Sequence, residues 1–336
     1  MNPVRAWNRF WFAPISARPL GAYRIIFGVL VLAHLAFTWM DIDYWYTDAG
    51  LLRGNEARIV AGDLRYSPLQ YVQDPIAVRL IVAGIAVVAA LFTAGWRTRV
   101  MGVLLYLGQL SLYHRNMSSV CGPDTVRMLT SFYLMLSPCG AAYSLDARRA
   151  ARRRGTAAEP LIVPWAQRLL QVQLALIYFA TAAFKCHGAT WLSGTAVHFV
   201  LFNAELRQLD MEWLASYPVL LCLFTYGALF VEFGLAFLLW FRPTRTWFAL
   251  LGVGLHAGIL PMVNVPLFGE QMVAVYLVFL APDELASLLQ VLDPRAWLRR
   301  RRQEWDALSA RLDPAGALPG WRQLELSFES AETTAA

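Results

Sequence analysis

Apolar stretches separated by short arginine-bearing segments constrain this chain more than any other feature of its sequence. Only 15% of its residues are charged and 58% are hydrophobic, whereas a soluble domain has about 25% charged residues. Eight stretches have roughly the length of a membrane-spanning helix, and they are 20–40, 76–95, 100–114, 125–143, 165–184, 218–241, 246–260 and 270–284. The sequence therefore predicts an all-α, polytopic integral membrane helical bundle of about eight transmembrane helices. The third and seventh are short enough to be partly buried in the bundle.

The distribution of positive charge predicts how these helices are oriented. With the N-terminus in the cytoplasm, the inner segments carry 19 Lys and Arg residues and the outer segments carry six. Because cytoplasmic loops carry such an excess, both termini are expected to be cytoplasmic. The net charge of +6 is then a membrane-topology signal and predicts no nucleic-acid partner, since the arginines flank apolar segments.

The same pattern divides the chain into three parts. Residues 1–19 are basic and aromatic without an apolar core, which predicts an interfacial amphipathic segment and no cleavable signal peptide. Residues 20–284 form the predicted membrane domain, and residues 285–336 form a cytoplasmic tail. Within the tail, 298–312 predicts a surface helix near anionic lipid, and 327–336 predicts a disordered end. Small residues such as Gly84, Gly252 and Gly254 are expected at helix contacts, because they let backbones approach closely in lipid.

Lys185 is the only lysine in the chain, and the other 28 of the 29 basic residues are arginine. It ends an apolar helix of membrane length, immediately before Cys186, His187 and Gly188. Arginine stays protonated, whereas a desolvated lysine can lose its proton and act as a base or nucleophile. One interpretation is therefore that Lys185 is a general base. The other is that its stem lies in lipid while its ammonium group reaches the headgroups.

Several other polar residues collect at the predicted outer ends of helices, where ionisable groups are costly and therefore candidates for function. They are expected to line one outward-facing pocket with Lys185. These residues are Asp41, Asp43, Tyr46, Asp48, His114, Arg115, Asn116, Asp124, Arg127, His187 and Asn264, with His256 somewhat deeper.

Each of these residues also has a structural interpretation that stays open. Asp124 and Arg127, three residues apart, have the spacing of a helix-start acid and its ion-pair partner. His256 fits a hydrogen-bonded packing histidine, and Glu232, about 14 residues into the sixth stretch, fits a buried structural acid. The segment that contains Tyr46 and Asp48 fits a solvated loop.

No metal site is predicted, because the cysteines and histidines lack the spacing of a ligand set. Cys121 and Cys186 both lie on the predicted outer side, where an oxidising compartment would allow a disulfide between them. His34 and His198 stand alone and receive no role.

Ordered blocks across residues 15–282 resemble the horizontally transferred transmembrane (HTTM) domain family. The blocks read ARPLGAYRIIFGVLVL, DYWYTDAGLL, YHRNMSSVCGPDTVRMLTSFYLMLSPCGAAYSLD, RLLQVQLALIYFATAAFKCHGATWLSGTAV, VEFGLAFLLWFRPTRTWFALLGVGLHAGI and VPLFGEQMVAVYLVFL. This family is similar to the membrane part of vitamin K-dependent gamma-glutamyl carboxylase. In that enzyme a lysine deprotonates vitamin K hydroquinone, oxygen then yields a strong base, and carbon dioxide adds to a glutamate side chain.

The resemblance implies roles for the residues singled out above. It places Lys185, followed by Trp191 and Gly194, at the position of the carboxylase lysine, and it implies catalytic roles for Lys185, His114, Asn116 and His256. It implies quinone or substrate binding by Arg115, Asp124, Arg127, His187, Trp191, Asn264, Tyr46 and Asp48. The cofactors implied are a reduced quinone (vitamin K hydroquinone or menaquinol), O2 and CO2, with no metal. The partners implied are the lipid bilayer, a quinone-like lipid and a peptide substrate.

The departures from the carboxylase set the limits of the expected function. The carboxylase carries a large soluble region on its active-site side, whereas here about 50 residues follow the last predicted span on the opposite side. Hydroquinone oxygenation is therefore expected to be retained more readily than carboxylation of a protein. The expected location is a bacterial cytoplasmic (inner) membrane with the active-site face outward. The alternative is a non-catalytic membrane protein that serves in binding, transport, or peptide maturation and export.

Overall fold

Helices form nearly all of the regular structure in the computed structural model of the protein, which describes residues 2–62, 64–72, 74–155, 159–205 and 207–312. The α-helices are α1 (Pro3–Phe12), α2 (Arg18–Met40), α3 (Ile42–Tyr46), α4 (Gly54–Ala61), α5 (Pro75–Ala94), α6 (Thr98–Arg115), α7 (Gly122–Leu136), α8 (Leu145–Arg154), α9 (Trp165–Lys185), α10 (Ala189–Leu192), α11 (Ala196–Leu201), α12 (Pro218–Leu238), α13 (Arg242–Met262), α14 (Phe268–Val275), α15 (Pro282–Leu292) and α16 (Pro294–Leu312). Two strands, β1 (Ile15–Ser16) and β2 (Leu161–Ile162), form one short antiparallel pair. The predicted all-α class is confirmed.

Three of the described helices are long and apolar enough to cross a membrane: α2, α5 and α12. Two other long helices carry polar residues near one end. The first two turns of α9 contain Gln167, Arg168 and Gln171, and the first turn of α13 contains Arg242 and Arg245, which lowers the hydropathy of both helices. The protein is therefore a membrane protein by its apolar helices, and the number of about eight spans stays a prediction.

Helices lie on all eight predicted stretches, but several lengths differ from the prediction. The third and seventh stretches form helices of 18 and 21 residues, α6 and α13, so they are not the short ones. The fourth, α7, has 15 residues and ends at Leu136, not at residue 143. It ends there because Pro138 disfavours helical geometry at Ser137, whose φ and ψ of −91° and 154° are extended.

The eighth predicted stretch is the one most altered. Helix α14 has eight residues and continues as a 3-10 turn, Tyr276–Phe279, which stops well before residue 284. The carbonyl of Val278 accepts hydrogen bonds from the side-chain amides of Gln167 (2.7 Å) and Gln171 (2.6 Å) on α9. These two amides satisfy a buried backbone group where the helix ends.

Contacts between distant segments define two ends of the bundle. At the arginine-rich end, Arg24 in the second turn of α2 donates to the Tyr143 carbonyl after α7 (2.7 Å), and β1 pairs with β2. Phe10 of α1 contacts Trp240, which follows α12. At the opposite end, Arg79 pairs with Asp43 at 2.6 Å. Between these ends α2 packs against α5, and α9 packs against α12.

Asp146 at the start of α8 caps the N-terminus of α6. Its carboxylate accepts hydrogen bonds from the Arg97 amide (3.0 Å), the Thr98 amide (2.7 Å) and the Thr98 hydroxyl (2.8 Å). Burial works to raise the pKa of Asp146, but the hydrogen bonds from Thr98 and Arg97 outweigh it, and the pKa lies below its ordinary value. This cap fixes the loop before α9 to the turn between α5 and α6.

The small residues divide into two groups. A Cβ atom on Gly252 would lie 2.5 Å from the Tyr276 hydroxyl oxygen, so Gly252 lies at a helix contact as predicted. A Cβ atom on Gly84 or Gly254 would have no described neighbour within 4 Å. The prediction is wrong for these two glycines, because composition alone does not reveal which helix face they occupy.

The chain divides into two compact units, Met1–Phe279 and Leu280–Ala336. In the second unit, α15 and α16 pack against each other, and α16 includes the stretch 298–312 that was predicted to be helical. The predicted disordered end at 327–336 lies outside the described residues.

Candidate proton-transfer site

Lys185 forms an ion pair inside the bundle. Its Nζ atom donates to Oε1 of Glu232 on α12, 47 residues further along the chain. The Glu232 side chain is 8% exposed and the Lys185 side chain is 27% exposed. Glu232 lies about 21 Å along α12 from Pro218, at ~1.5 Å per residue. The pair therefore lies well inside the length of an apolar helix, and the ammonium group is directed to a carboxylate within the bundle.

A second set of buried polar groups lies beside this pair. The Tyr178 hydroxyl is 2.5 Å from the Tyr276 hydroxyl and 2.9 Å from Nε2 of His256. The Glu232 carboxylate is near enough to interact electrostatically with both tyrosines. Lys185 interacts in the same way with His256. The Nδ1 atom of His256 is buried and has no hydrogen-bond partner among the described residues.

Thr181 lies one helical turn before Lys185 on α9, and its hydroxyl is 3.5 Å from Glu232. We call Lys185, Glu232, Thr181, Tyr178, His256 and Tyr276 the Lys185 cluster. Three helices, α9, α12 and α13, and the 3-10 turn after α14 supply its members. The cluster contains several groups that can donate or accept a proton, within hydrogen-bonding or electrostatic range of one another.

The segment after Lys185 contacts the cluster through Trp191. The Lys185 ammonium group lies 4.7 Å from the centre of the Trp191 ring, as a cation–π contact. Gly194 has a φ of 74°, and this left-handed turn joins α10 to α11. The Tyr226 hydroxyl donates to the Leu192 carbonyl at 2.7 Å, which fastens the segment to α12.

A separate cavity lies between α2, α6 and α7. Its volume is about 20 Å³, which is enough for one water molecule. We call it the Arg127 cavity, and its polar lining is His34, Tyr46, Gln109, Tyr113, Asn116, Ser119, Asp124 and Arg127. Burial, and then the Asp124 carboxylate, raise the pKa of Tyr46 to about 12, so its hydroxyl remains protonated near neutral pH.

Asp124 and Arg127 form the ion pair that their spacing allowed, at 2.6 Å. Asp124 also accepts from the backbone amide of Cys121 at 3.0 Å, and so caps α7. Cys121 itself is a free thiol, as is Cys186, so the disulfide considered between them is not formed.

Arg115, Asn116 and His114 fasten the segment that follows α2. Arg115 is fully buried and donates to Asp48 (3.3 Å) and to the Leu52 carbonyl (2.9 Å). Asn116 donates to the Trp45 carbonyl at 2.9 Å. His114 lies 3.0 Å from the Tyr66 carbonyl through its Nδ1 atom. These contacts hold Trp45, Asp48, Leu52 and Tyr66 against the end of α6.

The structure thus separates the residues that were expected to share one pocket. Lys185, Trp191 and His256 belong to the Lys185 cluster or touch it. The Arg127 cavity and the buried contacts beside it hold Tyr46, Asp48, His114, Arg115, Asn116, Asp124 and Arg127. No hydrogen bond or ion pair between described residues joins the two sets.

Two predicted residues lie apart from both sets. His187 is exposed, with its Nδ1 atom 2.8 Å from the Ala183 carbonyl, and Asn264 is exposed beside the α13–α14 connection. Each of them lies two residues beyond the end of its helix, α9 or α13, where it is exposed. The described residues contain no group of three or more His, Cys, Asp or Glu side chains that could share a metal ion.

Sequence reasoning missed several residues of these sites. It named Glu232 as an intramembrane acid but did not pair it with Lys185, and it did not predict Tyr178 or Tyr276, which lie within apolar stretches. An intramembrane carboxylate is itself a signal for a basic partner, and the chain has one lysine. His34 received no role, although its four-residue spacing from Thr38 places the two on one face of α2, 3.4 Å apart.

Comparison with known protein families identifies the family of this chain. The HTTM domain model matches residues 12–283, which include every residue of both polar sets. This chain belongs to the HTTM domain family. Membership and the apolar helices α2, α5 and α12 together make this HTTM protein an integral membrane protein. Neither the curated proteins nor the solved structures compared with it contain a match.

Proposed function

We propose that this HTTM protein is a membrane enzyme that removes a proton from a reduced quinone, with Lys185 as general base. The observation that carries the proposal is the Lys185–Glu232 pair inside the bundle, next to Tyr178, His256 and Tyr276. Intramembrane ionisable groups are expensive, and those arranged in chains are typical of proton-transfer paths. The reaction proposed is similar to the first step of the vitamin K-dependent carboxylase.

The ion pair is compatible with a lysine base when the two groups are considered together. Lys185 protonated beside an ionised Glu232, and Lys185 neutral beside a protonated Glu232, hold the same number of protons. The two arrangements differ only in which of the two side chains holds one shared proton, so the ion pair and the neutral pair are two states of one proton-sharing unit. In the neutral arrangement the amine accepts a proton from the substrate. The pair then holds two protons, and the substrate has lost one.

The residues fit a quinol that arrives from lipid. The buried Nδ1 atom of His256 has no hydrogen-bond partner in the described part of the chain, so it can accept from or donate to an oxygen of the quinol ring. The Lys185 side chain is partly exposed, which leaves a path to the amine from outside the bundle. A reduced quinone, when bound, supplies the proton and two electrons. Lys185 would take the proton, while Trp191 and Phe268, which lies 5.6 Å from His256, would bound the site.

The proposal includes vitamin K hydroquinone or menaquinol as substrate and O2 as oxidant. CO2 addition to a peptide is a further step that the same assay can detect. It also includes eight spans with both termini in the cytoplasm, a bacterial inner membrane as the location, and a site that opens toward the outer face. The separation of the Arg127 cavity supports a structural role for its residues, so the catalytic assignment rests on Lys185 and His256 and no longer on His114 and Asn116.

The decisive experiment compares Lys185→Arg with the wild-type protein. Purified protein in lipid nanodiscs would be given reduced menaquinone or vitamin K hydroquinone, and quinol oxidation and O2 uptake would be measured. Arginine keeps the charge and the ion pair but cannot supply a neutral amine, so we expect a loss of about 100-fold or more. Arg79→Lys, a conservative exchange in the partly exposed Arg79–Asp43 pair, is the matched control and should keep the wild-type rate.

An alternative function is a non-catalytic accessory protein whose Lys185–Glu232 pair only joins α9 to α12. The same ion pair fits this alternative as well, since a buried ion pair can fix the register of two helices without taking part in a reaction. A Lys185→Arg protein with the wild-type rate would refute the base role. A wild-type protein that oxidises no quinol would refute the enzymatic proposal and leave the accessory role.

A further inference from the structure

A large cleft at the arginine-rich end is separate from the Lys185 cluster and from the Arg127 cavity. It has a volume of about 960 Å³ and lies between α8, the turn after α7 and the β1–β2 pair. Its charged lining residues are Arg18, Asp146, Arg148, Arg154 and Glu159. A cleft of this size is large enough for a ligand of the size of a lipid headgroup.

Both acidic residues of the cleft are already occupied by partners within the protein. Asp146 accepts three hydrogen bonds from Arg97 and Thr98. Glu159 pairs with Arg18 at 2.7 Å and accepts from the Ser16 hydroxyl at 2.6 Å. The acids are therefore not available to neutralise the remaining arginines of the cleft.

Arg148 and Arg154 are exposed and form no ion pair with a described residue. The same holds for the other arginines of α8, namely Arg149, Arg152 and Arg153, of which Arg149 and Arg153 line an adjoining hollow with Arg154. Ten residues of α8 thus carry five arginines and one acid. A guanidinium group binds phosphate oxygens in a bidentate manner, so the ligand that suits the cleft carries a phosphate.

The walls of the cleft distinguish a lipid from a soluble phosphate compound. Tyr143 is 46% exposed, Leu145 is 37% exposed and Leu161 is 61% exposed, and all three line the cleft. Val163, next to β2, is 45% exposed. Apolar side chains left exposed beside unpaired arginines match a molecule with an anionic head and an apolar body. A small hydrophilic phosphate would leave these side chains in water.

We propose that this cleft binds the headgroup of an anionic phospholipid, with its phosphate on Arg148 and Arg154 and its acyl chains along Leu145 and Leu161. The site is independent of the proposed enzymatic activity. Because α8 is anchored to α6 through Asp146, the bound lipid would contact a fixed part of the bundle. The binding is therefore specific to the cleft and exceeds the general attraction of a basic surface to an anionic membrane.

The test is lipid retention by the full-length protein, measured by native mass spectrometry after delipidation and addition of phosphatidylglycerol. The variant Arg148→Gln/Arg154→Gln removes the two unpaired arginines of the cleft. The control Arg99→Gln/Arg152→Gln removes two exposed arginines from the same end that do not line the cleft. We expect the cleft variant to bind phosphatidylglycerol about tenfold more weakly than the control variant. Melting temperatures of both variants should equal that of the wild-type protein.

Two further arms separate the possible ligands. Leu161→Asn, an exposed change in the apolar wall, should weaken phosphatidylglycerol binding and leave any binding of inorganic phosphate unaltered. Phosphatidylcholine should be retained less than phosphatidylglycerol. The proposal is overturned if the cleft and control variants behave alike, since the attraction would then be diffuse. It is also overturned if inorganic phosphate displaces the lipid, or if the wild-type protein retains none.

Discussion

Replacing Glu232 with glutamine should destabilise the protein by about 2 kcal/mol, because it leaves the Lys185 ammonium group without its carboxylate. Removing one partner from a fully buried ion pair costs ~3–5 kcal/mol, whereas a fully exposed pair contributes about 0–1 kcal/mol. The Glu232 side chain is 8% exposed but the Lys185 side chain is 27% exposed, so the value should lie between these limits. Glutamine matches the size of glutamate and creates no cavity.

The free energy of unfolding would be measured by denaturant titration in mixed micelles, followed by far-ultraviolet circular dichroism. Asp43→Asn provides the matched control, because it breaks an ion pair with Arg79 whose side chains are 50% and 36% exposed. This control should change the free energy of unfolding by less than about 1 kcal/mol. The double variant Lys185→Met/Glu232→Gln should recover part of the loss, since no buried cation remains.

A Glu232→Gln protein as stable as the Asp43→Asn protein would refute the reasoning. It would mean that the Lys185 ammonium group reaches water or headgroups without Glu232, and the buried ion pair would then contribute nothing measurable. The catalytic proposal would also weaken, because an amine in contact with water has no reason to lose its proton near neutral pH.

Three other predictions concern packing, pH and topology. Gly252→Leu should lower the free energy of unfolding by about 1–3 kcal/mol through overpacking in the same titration, whereas Gly254→Leu should leave it unaltered. The lowered pKa of Asp146 stabilises the fold above the unfolded-state pKa of about 4, and this contribution is lost as pH falls through the folded-state value. Asp146→Asn should therefore melt at a lower temperature than wild type at pH 7 and differ less from it near pH 3. In a protein whose native cysteines are replaced by serine, a thiol reagent should label Ala150→Cys only from the cytoplasmic side and Asn55→Cys only from the outer side. Labelling of both cysteines from the same side would contradict the topology.

The sequence predicted the parts of the fold that depend on local composition. Apolar runs located the eight helices, and Pro75 and Pro218 mark the first residues of two of them. The early ends at Leu136 and Phe279 depend on backbone geometry that hydropathy averages conceal. Hydropathy profiles report transfer free energy along the chain, so they do not resolve where a helix changes to an extended or 3-10 conformation.

The candidate site was predictable only in part, for a similar reason. Lys185 could be singled out from the sequence because it is the only lysine in the chain. Its partner Glu232 lies 47 residues away, and the pairing depends on how far α12 extends past the end of α9. That offset arises from packing between helices, which periodicity within one helix does not contain. The same limit explains why Tyr46 and Arg127 were grouped with Lys185, although they lie in a separate cavity.

The Val278 carbonyl accepts two side-chain hydrogen bonds, and this affects how the protein tolerates mutation. In a continuous α-helix this carbonyl would receive the amide of residue 282, but residue 282 is proline and has no N–H. Gln167 and Gln171 supply two donors in its place, from adjacent turns of α9. Either glutamine alone can donate a hydrogen bond to the carbonyl, so the carbonyl keeps a partner when one of the two glutamines is replaced. Replacing one of these glutamines should therefore change the stability of the protein very little. Replacing both should leave the Val278 carbonyl oxygen buried without a hydrogen bond, which is costly inside a bilayer.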